Sequence, residues 1–295
     1  MYLAFILNPV AGSGFSLKVM DGLEAVLREK NVEYRVFRTE RPGHGTELAA
    51  KLTADPEVLA VASVGGDGTA GEVAAGLCET DKPMAIIPAG TGNDFIKSVG
   101  IPNDPQRALD VLLTCESQPT DTGTVNGEFF LNVCGTGFDV TVLDYAESEK
   151  EKHRGLTPYL LGLLKANFHY QSIQLKVTDE TGTTEDRFLV CTVANGRYIG
   201  GGIPICPAAD PSDGLLDLVL IRHVPRPKIP LYLPGLMMAR DLSFRITTHR
   251  RVRSVTFEGE KLRVNIDGEI RTMDGAEFRI KPGSLRLIRP SAERN

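Results

Sequence analysis

Residues 58–77 read VLAVASVGGDGTAGEVAAGL. The run 58–64 is apolar apart from Ser63, which suits a strand buried on both faces. Gly65-Gly66-Asp67-Gly68-Thr69 follows directly, and a helix is expected over 70–77. Strand, glycine turn and helix together form the start of a βαβ unit. Three glycines let the backbone approach a ligand closely and adopt positive φ. Amides of the turn and of the helix N-terminus, at the carboxyl end of a parallel strand, suit phosphate oxygens. Asp67 sits oddly in such a site, because a carboxylate repels phosphate unless a metal or a reacting hydroxyl lies between them. A plain tight turn is the competing reading, since Asp-Gly occurs at 21, 67, 213, 267 and 274.

Outward from this unit the same alternation continues. Strands are expected at 2–7, 32–37 and 84–88, and helices at 16–29, 45–52 and 105–113. Such an order implies a parallel sheet with helices on both faces. After residue 120 the texture changes. Strands at 124–133, 173–177, 187–194, 215–221, 254–258, 261–266 and 277–280 are separated by Gly, Pro and Asp-Gly turns. A helix is expected over 156–168, 226–242 is ambiguous, and 285–288 fits either sheet. The fold class is therefore α/β: an N-terminal parallel-sheet domain (1–122, which 286–295 could rejoin) plus a mostly antiparallel domain (123–285).

With 295 residues, 42% hydrophobic and 24% charged, the chain is long enough for two domains with cores of their own and is neither disordered nor fibrous. No apolar run approaches the ~18–20 residues that span a bilayer, and MYLAFILNP lacks the cationic start of a secretory signal, so a cytoplasmic protein is expected. Cysteines 78, 115, 134, 191 and 206 form no CxxC pair, and the five histidines show no ligand spacing. They read as reduced thiols and surface imidazoles rather than a zinc site, with His44 the one histidine near a candidate loop. A net charge of −5 argues against a nucleic-acid partner. That average hides a segment, 222–253, with eight Lys/Arg against Asp241 alone, which leaves −12 on the remainder. There Leu231, Tyr232, Leu233, Leu236, Met237 and Met238 interleave with the cations, as in a segment docking on an anionic leaflet; a core-packed segment with a solvated basic face reads equally well.

Two more glycine-rich loops end expected strands: Asn8-Pro9-Val10-Ala11-Gly12-Ser13-Gly14 and Pro88-Ala89-Gly90-Thr91-Gly92-Asn93-Asp94. Three on one sheet edge point to a polyphosphate cradle. No Gly-Lys-Ser/Thr occurs, which excludes an ordinary P-loop. Gly66, Gly68 and Gly71 meet GxGxxG formally, but the next strand ends in Ile86-Ile87-Pro88 without a ribose-binding acid, so a dinucleotide dehydrogenase is disfavoured. Near the C-terminus, Leu262, Val264 and Ile266 alternate towards Asp267-Gly268-Glu269. In an extended chain Asp267 and Glu269 would point the same way and share a site, dividing metal binding and proton acceptance; a hairpin turn is the alternative. The carboxylates and turn carbonyls of 210–217 suit a hard cation, or simply a solvated loop.

NPxxG, GGDGT, PxGTGND, Gly137-Phe138-Asp139, the 209–217 segment ADPSDGLLD and Asp267-Gly268-Glu269 occur in order from Asn8 to Glu269. Together they resemble the bacterial diacylglycerol kinase-like lipid kinases, relatives of sphingosine kinases and, more distantly, NAD kinases. The resemblance implies a nucleotide-binding α/β domain, a β-sandwich domain and an active site in the cleft between them. It implies ATP phosphates lined by Asn8, Pro9, Val10, Ala11, Gly12, Gly65, Gly66, Asp67, Gly68, Thr69, Ala70 and Gly71, with Thr39 and Thr91 adding polar contacts. Glu269 would accept the proton, with Asp267 and Asp67 beside it. A structural Mg²⁺ would sit on Asp213 and the carbonyls of Asp210 and Leu215. One departure stands out: relatives usually carry Asn where this chain has Gly71. The activity implied is Mg²⁺-assisted transfer of the ATP γ-phosphoryl group to a lipid hydroxyl. Its partners would be a lipid substrate at a membrane surface and peripheral membrane contact at the inner face, with no nucleic acid; a homodimer is compatible with this. An NAD kinase-like enzyme and a non-catalytic nucleotide-binding regulator are the alternatives.

Overall fold

The structure is a computed structural model that describes residues 1–149, 162, 165, 166, 172–229 and 246–291. The chain divides into two compact units, Met1–Thr122 with Pro282–Asn295, and Gly123–Lys281.

In the first unit β1 (Tyr2–Leu7), α1 (Phe15–Glu29), β2 (Tyr34–Arg38), α2 (His44–Thr53), β3 (Val58–Gly65), α3 (Asp67–Leu77) and β4 (Met84–Pro88) alternate. The short α4 (Asp94–Ser98), α5 (Pro105–Thr114) and the first part of β5 (Ser117–Val125) follow. The strands pair in parallel in the order β4-β3-β1-β2. The chain leaves β1 towards β2 on one side and returns to β3 on the other, and right-handed crossovers then put the two connecting helices on opposite faces. Accordingly α1 packs against α5, and α2 against α3. The α2–α3 contact is close because it is made of small residues: a Cβ on Gly76 would lie 2.4 Å from the Thr46 carbonyl oxygen. The gap between β1 and β3 is the topological switch point of the sheet, where open α/β sheets bind ligands at their carboxyl ends. The segment 285–288, ambiguous in sequence, belongs to this unit: it ends β15 (Ala276–Ile288), with Leu287 parallel to Met84 of β4.

The second unit is antiparallel. It contains β6 (Glu128–Phe130), β7 (Val133–Gly137), α6 (Phe138–Glu149), β8 (Ile173–Asp179), β9 (Gly182–Ala194), β10 (Leu216–Arg222), β11 (Thr247–Val252), β12 (Ser254–Glu258), β13 (Leu262–Ile266), β14 (Glu269–Met273) and the start of β15. Its long strand β9 pairs β8 through its first half and lies between β7 and β10 through its second. β10 is buried on both faces. Leu216, Leu218 and Leu220 join one apolar cluster with Phe257 and Phe278, whereas Val219 and Ile221 join a second with Phe138, Val142 and Cys206. This period of two explains why a strand with four consecutive apolar residues, Leu218–Ile221, is stable here.

Two sequence expectations change. The single strand at 124–133 is a hairpin: Val125 pairs Glu128, and Asn126 and Gly127 take φ 49° and 86°, as a two-residue turn requires. Strands β7, β11 and β14 were not expected from the sequence. The helix at 156–168 falls mostly outside the described residues, though Gly162, Lys165 and Ala166 are helical. Of the ambiguous 226–242, only a 3₁₀ turn at Arg226–Lys228 and the neighbouring Ile229 are described.

Asp139, in the first turn of α6, is buried, and its Oδ1 accepts no hydrogen bond; Oδ2 accepts a long one (3.4 Å) from Asn265. Burial raises its pKa to about 6. The folded chain therefore holds this proton more tightly than the unfolded one, and stability falls as pH rises from about 4 to about 6. Asp139→Asn is expected to stabilise the protein by on the order of 3 kcal/mol at pH 7.5 and to be neutral below pH ~4. Urea unfolding at the two pH values checks this.

Candidate functional site

Two of the three glycine loops border the switch point. After β1, Asn8 is fixed by its own backbone: its N–H donates to the Val64 carbonyl (3.1 Å), and its carbonyl accepts from Ala11 N (3.2 Å) and Ser16 Oγ (2.6 Å). Its side chain reaches across to the first turn of α3, with Nδ2 donating to Thr69 Oγ1 (3.1 Å), while Oδ1 accepts the Val10 amide (3.2 Å). Asn8 thus ties the first loop to the GGDGT turn. Gly12, at φ 58°, touches the third loop, where an added Cβ would lie 2.5 Å from the Ala89 carbonyl oxygen. Gly66 and Gly90 meet backbone to backbone: a Cβ on Gly90 would stand 2.3 Å from the Gly66 Cα. Gly65 is equally confined, by Thr69 Oγ1 at 2.4 Å. By contrast, nothing lies within 4 Å of a Cβ built on Gly68 or Gly71. The glycines facing other loops serve close packing, and those on the first turns of α3 border open space. An Asn side chain at position 71 would have room.

Asp67 begins α3, and its Oδ1 accepts the amides of Asp94 (2.7 Å) and Phe95 (3.2 Å). It therefore caps α4, a helix too short to be visible in the sequence pattern. Burial and then the Asp94 carboxylate raise the Asp67 pKa, against the lowering effect of the two amides and Lys97. Lys97 is held on Asp94 Oδ1 (2.7 Å) and the Gly92 carbonyl (3.1 Å). Asp67 Oδ2 accepts no hydrogen bond from any described residue. The third loop is closed by Asn93, whose Nδ2 donates to the Gly90 carbonyl (3.1 Å) and whose Oδ1 accepts Gly90 N–H (3.2 Å). Thr91 is exposed on that loop; Thr39 is buried at the end of β2, its N–H on the Leu7 carbonyl (2.9 Å). Pro9 and Val10 lie on the first loop beside Ala11, and Ala70 is buried in α3.

Glu72 escaped the sequence reading. Its two carboxylate oxygens accept Gly43 N–H and Gly45 N–H (both 2.8 Å), capping α2 from α3. An acid one turn beyond GGDGT was the available signal. His44 has a local role: Nδ1 accepts the Glu40 amide (3.1 Å).

In the second unit Asp267 and Gly268 form a two-residue hairpin turn between Ile266 and Glu269, with φ 49° and 100°. The extended-chain argument for a shared site does not hold there, because Asp267 is left-handed. Its carboxylate turns back onto three amides: Leu131 N–H on Oδ2 (2.6 Å), and Asn132 and Val133 N–H on Oδ1 (both 2.9 Å). Glu269, exposed at the start of β14, accepts Arg271 Nη2 (2.6 Å), and Arg271 also reaches Glu128 (3.4 Å). The two carboxylates thus have different partners.

The 210–215 loop is a compact turn. The Asp210 carbonyl accepts Ser212 and Asp213 N–H (2.7 and 3.3 Å), and Asp213 Oδ1 accepts Leu215 N–H (3.0 Å). Among the described residues Asp213 Oδ2 meets Arg251 Nη1 at 3.7 Å. Burial raises the Asp213 pKa, Asp217 and Asp210 add to it, and the Leu215 amide and Arg251 oppose it. A carboxylate with adjacent turn carbonyls is a donor set that fits a hard cation.

Three arginines of the cationic segment form ion pairs within their own unit: Arg222 meets Asp186 (3.2 Å), Arg250 meets Asp179 (2.8 Å) and Arg251 meets Asp213 (3.7 Å), while the backbone N–H of Arg253 donates to Glu180 (2.8 Å). The apolar residues at 231–238 lie outside the described residues. Among the described residues no helix is long and apolar enough to cross a membrane.

Glycine turns tied together at the switch point of a parallel sheet, followed in the chain by an antiparallel unit, define a phosphate-binding α/β class of protein. Comparison with known proteins narrows the class. Residues 2–125 match the diacylglycerol kinase catalytic domain, and residues 132–289 match the YegS C-terminal NAD kinase beta sandwich-like domain. The "Diacylglycerol kinase" of Mycobacterium tuberculosis (strain ATCC 25618 / H37Rv) is 30% identical over 292 residues, 96% of this chain and 93% of that protein. The "Probable lipid kinase YegS-like" of Pseudomonas aeruginosa (strain UCBPP-PA14) is 33% identical over 271 residues, 90% and 88% of the two chains. The crystal structure of a diacylglycerol kinase from Bacillus anthracis str. Sterne has a TM-score of 0.72 at 23% identity, covering 99% of this chain and 97% of that one, a likeness of fold alone. The chain belongs to the diacylglycerol kinase-like lipid kinase family.

Proposed function

We propose that this protein transfers the γ-phosphoryl group of ATP to a hydroxyl of diacylglycerol or a related lipid, assisted by Mg²⁺. The observation that carries the reading is the switch-point edge, where Asn8 joins the first loop to Thr69 while Gly66 lies against Gly90. Loop amides and the N-terminus of α3 there offer donors for phosphate oxygens, and the open space at Gly68 and Gly71 leaves room for them. In phosphoryl transfer, positioning and charge neutralisation carry most of the catalysis. The cradle residues 8–12 and 65–71, with Thr39 and Thr91 at its margins, supply the positioning. Asp67 orders the third loop through Oδ1, which leaves Oδ2 to face a metal-bound or hydroxyl group. Glu269 accepts the proton of the lipid hydroxyl, and Asp267 holds the turn that presents it. A Mg²⁺ ion on the nucleotide would neutralise charge developing on the phosphate oxygens. A second, structural Mg²⁺ would be held by Asp213 and the carbonyls of Asp210 and Leu215. The acceptor's chemistry calls for peripheral contact with a lipid surface, and the paired cations of β11 support the fold rather than that contact.

Incubating the protein with γ-labelled ATP and total lipid extract, with NAD in a parallel reaction, tests the acceptor class. Label in a lipid product is expected; label in NAD alone would replace this reading with the NAD kinase-like one. Gly90→Ala is expected to separate the second and third loops, since the new Cβ overlaps Gly66. Overpacking of this kind costs about 1–3 kcal/mol, and nucleotide affinity should fall by about tenfold or more. Nucleotide titration of the folded variant checks this.

A further inference from the structure

Cysteine, aspartate and histidine converge in the second unit, away from the Asp-Gly-Glu turn. Sγ of Cys206, a carboxylate oxygen of Asp217 and a ring nitrogen of His249 all lie within 4.8 Å of one another. The antiparallel register brings two of them together. Asp217 and Val219 share one face of β10, and His249 of β11 pairs with Val219, so His249 is the diagonal neighbour of Asp217. Cys206 arrives from a turn pinned at both ends: its N–H donates to the Arg197 carbonyl (3.2 Å), and its carbonyl accepts from Ala209 (3.1 Å). Sequence spacing hides the cluster, because the pairing of β10 with β11 creates it.

His249 Nε2 lies 2.5 Å from Asp217 Oδ1 and 3.9 Å from Cys206 Sγ. Asp217 is buried, and its second oxygen, Oδ2, is a buried acceptor without a hydrogen bond. A buried carboxylate that lacks a donor on one oxygen is costly unless a cation compensates it, and Arg251 stands as far as 3.9 Å from Oδ1 through its Nε. We infer that Cys206, Asp217 and His249 form a binding site for a thiophilic divalent cation of the Zn²⁺ type. Metal–ligand lengths of about 2.0–2.1 Å for N and O and about 2.3 Å for S give tetrahedral edges of roughly 3.3–3.6 Å. The Nε2–Oδ1 and Nε2–Sγ separations of 2.5 and 3.9 Å reach those edges with movements under about 1 Å, the ion taking the place of the hydrogen between His249 and Asp217. Three protein ligands leave a fourth position for water. The His249 side chain is 40% exposed, which gives the ion an entry path. The donor set differs in kind from the all-oxygen 210–215 loop, so the two sites select different metals.

Titration of the chelator-treated full chain with Co²⁺ tests the site, because cobalt bound to a thiolate shows a sulfur-to-metal charge-transfer band and four-coordinate cobalt absorbs strongly in the visible. One equivalent giving both signals is expected, displaced by Zn²⁺ and unaffected by excess Mg²⁺. Cys206→Ser should abolish the charge-transfer band. His249→Gln, at an exposed position, should weaken binding more than about 100-fold, since even second-shell losses weaken metal sites about 10–100-fold. Asp213→Asn should retain the band. Zn²⁺ should raise the Tm of the wild type and not that of either ligand variant. A folded wild type without the charge-transfer band, or a band that persists in Cys206→Ser, would overturn the assignment. A signal lost in Asp213→Asn and kept in His249→Gln would also overturn it, by moving the ion to the loop.

Discussion

Asp267→Ala is expected to destabilise the second unit by about 3–5 kcal/mol. Its carboxylate is the acceptor for the amides of Leu131, Asn132 and Val133, all between 2.6 and 2.9 Å. Removing it strands donors between β6 and β7, at about 1–3 kcal/mol for each one that water cannot reach. Ala also tolerates the left-handed φ of 49° less well than Asp. Asp267→Gly separates the two effects, because it relieves the backbone and still loses the amides. Urea unfolding should rank the chains wild type, then Gly, then Ala, with both variants clearly weaker. A variant within about 0.5 kcal/mol of wild type would show that these amides find other partners.

The second large effect is catalytic. Glu269→Gln is expected to leave stability within about 0.5 kcal/mol, since the side chain is exposed and its partner among the described residues is Arg271 on the same strand. Lipid phosphorylation should nevertheless fall by about 10²–10⁴-fold, the usual contribution of a positioned proton acceptor. Neighbouring residues of one Asp-Gly-Glu turn thus separate cleanly: loss of Asp267 unfolds, and loss of Glu269 stops transfer. Wild-type turnover in Glu269→Gln would move the proton acceptor elsewhere, with Asp67 the next residue to substitute.

The parallel half was legible because three of its four strands end in a glycine loop and its longer helices carry an apolar period. β1 and β4 fall where the pattern puts them, and the other elements differ by a few residues at their ends. What the sequence concealed was non-local. α4 exists because Asp67, 27 residues away, caps it. α2 begins where it does because Glu72 reaches back from the next helix. Asp267 reads as a catalytic acid beside Glu269 until the donors to its carboxylate are traced to amides some 135 residues earlier. The Asn126-Gly127 hairpin is a different case, since that dipeptide is a strong turn signal by itself. The β-branched and aromatic residues on either side masked it. The basic segment looked like one surface feature, yet Arg222, Arg250 and Arg251 are distributed over Asp186, Asp179 and Asp213, whose positions only the antiparallel register reveals.

Transfer of label from γ-labelled ATP to diacylglycerol in mixed micelles, followed with and without Mg²⁺, tests the central claim most directly. The account predicts a labelled phosphorylated lipid that depends on both Mg²⁺ and Glu269. Normal ATP binding without label in this or any other lipid would contradict it.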